Sequence, residues 1–207
     1  MNLKNLNDNI LTRAWNERYN AQSESTKKQL DRLYDAAPDE YKLKVIKRKR
    51  IQPKEGDVFL VSPRDDIYFY GKVLRANISN PYDTWVNEQN MVVIFKCKTN
   101  TINMEKYNPN YADLLVKPII VTKQYWSNGS FFTIDNIPLT EEEKNLDYGF
   151  YDAFNDCFIS ETGTKIEHQP KIFCSKGIAT LSDISYYIER ELIIDKTLLD
   201  FYDNIDR

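Results

Sequence analysis

The chain has 207 residues, room for one ordinary domain with an extension or for two small domains. Hydrophobic residues make up 42% and aromatics 13%, with 14 tyrosines, so a packed core with many half-buried phenol rings is expected. A net charge of −3 is too small to imply a nucleic-acid binder by bulk charge and too small to exclude a basic partner.

Residues 1–50 read as helical. Leu3, Leu6, Ile10, Leu11, Ala14, Trp15 and Tyr19 recur at three- and four-residue steps, one stripe of a helix. After a polar break, Ser23 or Ser25 can cap a second helix with the stripe Leu30, Leu33, Tyr34 and Ala37. Pro38, followed by Asp39 and Glu40, suits another helix start. Tyr41 to Ile46 is ambiguous, because Tyr41, Leu43 and Val45 also alternate like a strand. A basic run follows: Lys42, Lys44, Lys47, Arg48, Lys49, Arg50 and Lys54. It reads either as a phosphate-binding patch or as a solvated connector, and it lacks the interleaved aromatics of single-strand binders.

From Gly56 the pattern becomes that of strands. Val58 to Val61 is a short apolar run closed by the turn residues Ser62-Pro63-Arg64-Asp65-Asp66. Asp57 itself is read as a turn residue. Ile67 to Leu74 places Tyr68, Tyr70 and Lys72 on one face and Ile67, Phe69 and Val73 on the other. Gly71 within it implies a bulge or a close approach. A polar loop, 77–90, carries Trp85; Met91 to Phe95 is apolar on both faces, as in a central strand covered twice. Pro118, between Leu114-Leu115-Val116 and Ile119-Ile120-Val121, marks an edge or a break. Phe131 to Ile134 is a further strand, Phe158-Ile159 and Lys165-Ile166 form a hairpin, and Lys171 to Cys174 is the last strand. Ser182 is expected to cap a final helix through Ile184, Ile188 and Leu192, with Leu198, Leu199 and Tyr202 docking a helical tail.

The pattern is α+β: a predominantly antiparallel, strongly bent sheet or a small SH3-like barrel, with an N-terminal helical extension and a C-terminal helix. The expected units are 1–50, 51–192 and 193–207. No run approaches the roughly 18 apolar residues of a membrane span, and the polar start of the chain lacks a secretory pattern, so a cytoplasmic protein is expected.

Chemistry is scarce. His168 is the one histidine and lies in a polar stretch, so a Ser-His-Asp or Cys-His site would have to be built on it. Cys97, Cys157 and Cys174 are too widely spaced for a disulfide framework or a metal knuckle, and 6 glycines form no phosphate loop. No enzyme, metal or cofactor is expected.

Lys54 to Val61, Tyr68 to Leu74 and Met91 to Phe95 together resemble the immunity protein 26 family. Trp126 with Phe131 to Ile134 and Ile137 to Leu139 is similar to a later block of that family, and Lys176 to Leu192 to its closing strand and helix. The resemblance spans residues 48–192. It implies a protein of bacterial polymorphic toxin systems that binds and neutralises a cognate toxin, with no catalytic residue to carry over. If that toxin is a basic nuclease, the acidic residues Glu141, Glu142, Glu143, Asp147, Asp152, Asp156 and Glu161 form its natural face. Trp85, Tyr148, Phe150 and Tyr151 are candidate aromatic anchors. For Glu141 to Glu143 a second reading is the first turn of a short helix after Thr140. The alternative function is a small-barrel nucleic-acid-binding module using the basic run 42–54.

Overall fold

A computed structural model describes residues 8–200. Two helices open it: α1 (Ile10–Asn20), capped by the Asn9 side chain, and α2 (Glu24–Asp35), capped by Ser23. The N-terminal stripe residues Leu3 and Leu6 lie outside the described residues, as does Tyr202 of the tail. Pro38–Glu40 is a single 3-10 turn. Beyond it the chain is extended, so helix stops well short of residue 50. Leu43 explains the change: it is buried in the core while Lys42 and Lys44 face solvent. Main-chain bonds from Lys44 to Ser62, Ile46 to Gly129 and Lys49 to Trp126 hold this strap against the sheet.

The first sheet contains β1 (Asp57–Arg64), β2 (Ile67–Arg75), β3 (Asn90–Thr99), β4 (Leu114–Val121) and β5 (Phe132–Asn136). Its order is β4-β3-β2-β1-β5, with every pair antiparallel. Pro118 thus sits in an edge strand, where its missing N–H costs no ladder bond. Strand β1 runs past the expected turn through Ser62 and Pro63. The connection shrinks to Asp65 and Asp66, and Asp66 takes a positive φ, which aspartate tolerates better than most residues.

The sheet is not closed into a barrel. Strands β4 and β5 remain its two edges, and the outer side of β4 is met instead by Ile178–Ala179, with Ala179 N–H donating to the Ile120 carbonyl at 2.8 Å. Of the two expected forms, the open bent sheet is the one adopted.

Two short helices, α3 (Gln124–Ser127) and α4 (Glu141–Lys144), flank β5. A second sheet follows: β6 (Tyr148–Asp152), β7 (Cys157–Ile159), β8 (Lys165–Ile166) and β9 (Ile172–Ser175), in the order β8-β7-β6-β9. The β7–β8 hairpin lies where expected, but β9 pairs with β6 in parallel. Helix α5 (Leu181–Ile194) is capped by Thr180 rather than Ser182. Thr180 Oγ1 accepts from Asp183 N–H and the Asp183 carboxylate accepts from Thr180 N–H, a reciprocal box that Ser182 cannot form here. Leu198 of the following 3-10 turn is buried in the core.

Side-chain alternation gives the first sheet two apolar faces. Phe59, Val61, Phe69, Val73, Val92 and Ile94 meet Trp126, Phe131 and Ile184, Ile188 and Leu192 of α5. Val58, Leu60, Tyr70, Leu74, Met91, Val93 and Phe95 meet Phe150 of the second sheet and the rings of Tyr107 and Tyr111. The doubly covered central strand read at Met91 to Phe95 is therefore present.

Gly71 is a close approach by a side chain. A Cβ there would fall inside the Phe59 ring, and that ring cannot retreat, because it stacks on Phe131 at 4.6 Å and meets Trp126 edge-on at 5.4 Å. Gly71→Ala is expected to cost about 1–3 kcal/mol by overpacking, read as a lower urea midpoint with an unaltered slope. An unchanged midpoint would contradict this packing.

Candidate partner-binding site

Strand β2 has to bury Lys72 because both faces of its sheet are covered. Lys72 is 2% exposed and Glu143, its partner on α4, is 6% exposed. Lys72 Nζ donates to both Glu143 oxygens at 2.8 Å, and Tyr111 Oη donates to Oε1 at 2.6 Å. The same carboxylate accepts from Thr140 N–H at 2.8 Å and so completes the box that caps α4. Burial pushes Glu143 up, but Lys72, Tyr111 and Thr140 together outweigh it and hold the carboxyl below its ordinary 4.5. For Tyr111, burial first and Glu143 second push the phenol up.

Two of the three glutamates of α4 remain outside. Glu141 and Glu142 are exposed, as the short-helix reading expects. Next to them, Arg75 at the end of β2 joins three segments. Its Nη2 donates to the Lys144 carbonyl at 2.9 Å and its Nε lies 3.4 Å from Glu161. The Glu161 carbonyl in turn accepts from Asn80 Nδ2 at 3.1 Å, which attaches the 77–90 loop.

Asn80 also organises that loop from within. Buried itself, it accepts from Tyr82 and Asp83 N–H at 2.9 Å each, while its own N–H donates to Asn87 Oδ1. Asp83 Oδ1 then accepts from Trp85 N–H at 3.1 Å. With the backbone committed and Val86 buried beneath, Trp85 stands 82% exposed and Tyr82 79% exposed. A large exposed ring on a loop whose backbone is already fixed leaves little main-chain freedom to be lost on binding, which suits an interface anchor.

The other sequence-derived residues divide between two places. Asp147 and half-buried Tyr148 begin β6 on the Arg75 side. His168 Nε2 lies 2.8 Å from Asp147 Oδ1; this contact first, with Lys171 N–H, holds that carboxyl below its ordinary value. For Tyr148, burial first and the Glu161 charge second push the phenol up. Tyr151, Asp152 and Asp156 gather at the opposite end of β6. There Asp152 is buried, bonded to Lys176 at 2.9 Å and to the turn N–H groups of Phe154 and Asn155. Buried Tyr151 donates to Asp156 at 2.5 Å, and burial first and Asp156 second push its phenol up to about 12.

Glu143, Asp152 and Tyr151 are thus internal partners rather than surface contacts. Sequence reasoning missed Tyr82 and Arg75. The available signal was Lys72 on an otherwise apolar strand face, since a buried lysine requires an acid and Glu143 is the one in place.

The basic run forms the strap described above. Its cations are exposed, with Lys42 near Asp39, Lys44 near Asp65 and Lys47 over the Phe132 ring. Among the described residues, no helix is long and apolar enough to cross a membrane, and no group of three His, Cys, Asp or Glu could hold a metal ion. All three cysteines are free thiols.

Fold and surface define an α+β protein built on an open, doubly covered sheet, with an aromatic and acidic face at one end. Residues 54–154, just under half of the chain, match the family described as Immunity protein 26. The match runs from the turn before β1 to Phe154, and so includes Lys72, the Trp85 loop and α4, but neither β9 nor α5. No curated protein and no solved structure matches the chain.

Lys72→Met is expected to cost about 3–5 kcal/mol, because it leaves a buried carboxylate without its cation. The double variant Lys72→Met/Glu143→Gln, which keeps the cap and the Tyr111 bond, should return to within about 1–2 kcal/mol of the original in urea unfolding. Equal losses in the single and double variants would contradict the pairing. A depressed carboxylate contributes stability above its unfolded value, lost as pH falls through its folded value. Glu143→Gln should therefore flatten the acid limb of the stability curve below pH 4.5.

Proposed function

We propose that this chain is an immunity protein that neutralises a cognate bacterial toxin by direct binding, in the cytoplasm of a cell carrying a polymorphic toxin system. The match of residues 54–154 to the Immunity protein 26 family carries this reading. Such a protein works by complementarity and needs no reacting group, which fits side chains whose acids serve structure or face solvent.

The contact face we assign is the Trp85 end of the molecule. Trp85 and Tyr82 supply apolar area on a fixed loop, and Glu141, Glu142, Asp83 and Glu88 supply negative charge around it. A basic toxin domain is the complementary partner: charge accelerates encounter, and the rings resist dissociation. The buried Lys72–Glu143 pair keeps α4, and with it the two exposed glutamates, in place.

The test is co-purification with the toxin encoded beside this chain, followed by kinetics on variants. Trp85→Ala is expected to raise the dissociation rate and weaken binding about 30-fold or more, as for an interface hot spot. Glu142→Lys should act mainly on the association rate, and more at low salt than at high. Both positions are exposed, so thermal unfolding should not move. Unchanged affinity in both variants would remove this face from the interface, and failure of the toxin to co-purify would remove the function.

A further inference from the structure

A cleft of about 390 Å³ lies on another side of the molecule, between α1, β4, β9 and α5. Of these elements only β4 lies within the matched segment. Its volume is that of a small-molecule site, typically about 300–1,000 Å³. Leucine and valine side chains of α1 and β4, with the rings of Trp15, Phe173 and Tyr187, make its walls largely apolar.

The charged groups in those walls do not balance. Glu191 is the one acid among three cations, and Arg18 occupies both its oxygens at 2.5 and 2.6 Å. Arg190 instead lies on aromatic faces, its Cζ 4.5 Å from the Trp15 centroid and 5.5 Å from that of Tyr187. It reaches Glu191 only at 3.4 Å, and its buried Nε has no hydrogen-bond partner. Lys117, exposed on β4, holds its Nζ 5.1 Å from the Phe173 centroid. A cation over a ring keeps its charge and several of its donors free: among the described residues Lys117 has no carboxylate partner, and Arg190 has only the 3.4 Å contact to a Glu191 already taken by Arg18.

We propose that this cleft binds a small organic anion, with a carboxylate or phosphate-ester head on Lys117 and Arg190 and an apolar body, the size of a medium acyl chain or one to two aromatic rings, between α1 and β4. The head replaces water at two cations already held in position, and the body covers Trp15 and the β4 side chains. This site is separate from the toxin face and stands or falls without it.

The test uses the full chain and 1-anilinonaphthalene-8-sulfonate, an aromatic anion, followed by fluorescence. The expected result is saturable binding at one site, displaced by octanoate or phenyl phosphate and about tenfold less well by octanol or benzyl alcohol. The octanoate and phenyl phosphate arms tell a carboxylate site from a phosphate site. Lys117→Gln should weaken the anions about tenfold and leave the alcohols and the melting temperature unchanged. Ala14→Trp, at an exposed position on the rim, should abolish binding by filling the cleft. Absence of saturable binding, equal displacement by octanol and octanoate, or full anion affinity in Lys117→Gln would overturn the proposal.

Discussion

A lysine in the middle of a sheet with two apolar faces sets the terms for much of this molecule. Lys72 cannot reach water, so an acid has to be brought to it, and Glu143 is brought by a four-residue helix too short to persist alone. One carboxylate caps α4, accepts from Tyr111 and neutralises Lys72. Such a pair adds little net stability over an apolar alternative, because desolvating two charges offsets most of their attraction. Its effect is on geometry. It fixes where α4 lies, and Arg75 then ties α4 to the 160–164 turn and to the Asn80 loop.

Helix α5 plays the corresponding part on the opposite face. Ile184, Ile188 and Leu192 enter the core, while two acids on its flanks reach outward to different elements. Glu189 pairs with Arg64 at the end of β1, and Glu191 takes the Arg18 fork from α1. The N-terminal helices are therefore held through α5 and through the strap at Leu43. The cleft beneath α1 follows from that arrangement: α1 is fixed by a polar clamp at one end and leaves space above β4.

Much of the sheet was legible because burial on two faces leaves a plain pattern. Val58 to Val61 and Met91 to Phe95 are unbroken apolar runs, and Gly71 and Pro118 each marked a feature that is present. The parallel pairing of β9 with β6 was not legible, since their register depends on contacts distant in sequence and both strands are short. The cap of α5 was misplaced by two residues, because Thr180 and Ser182 are equally good caps until Asp183 is seen to close the box with Thr180. At the candidate face, Trp85 was legible as an aromatic ring in a polar loop. Glu143 reads with Glu141 and Glu142 as an acid at a helix start; the Thr140-x-x-Glu143 spacing singles it out as the capping partner, while its burial depends on where Lys72 lies in the fold.

A cognate toxin bound as proposed would cover the end of the molecule held by Arg75, Asn80 and the Lys72–Glu143 pair. Amide hydrogen exchange of the full chain, alone and with toxin bound, tests this contact most directly. Slowed exchange is expected in residues 80–89, 141–147 and 160–164, with α1 and the strap at 42–54 unaltered. Protection confined to α1, β9 or the basic strap would contradict it.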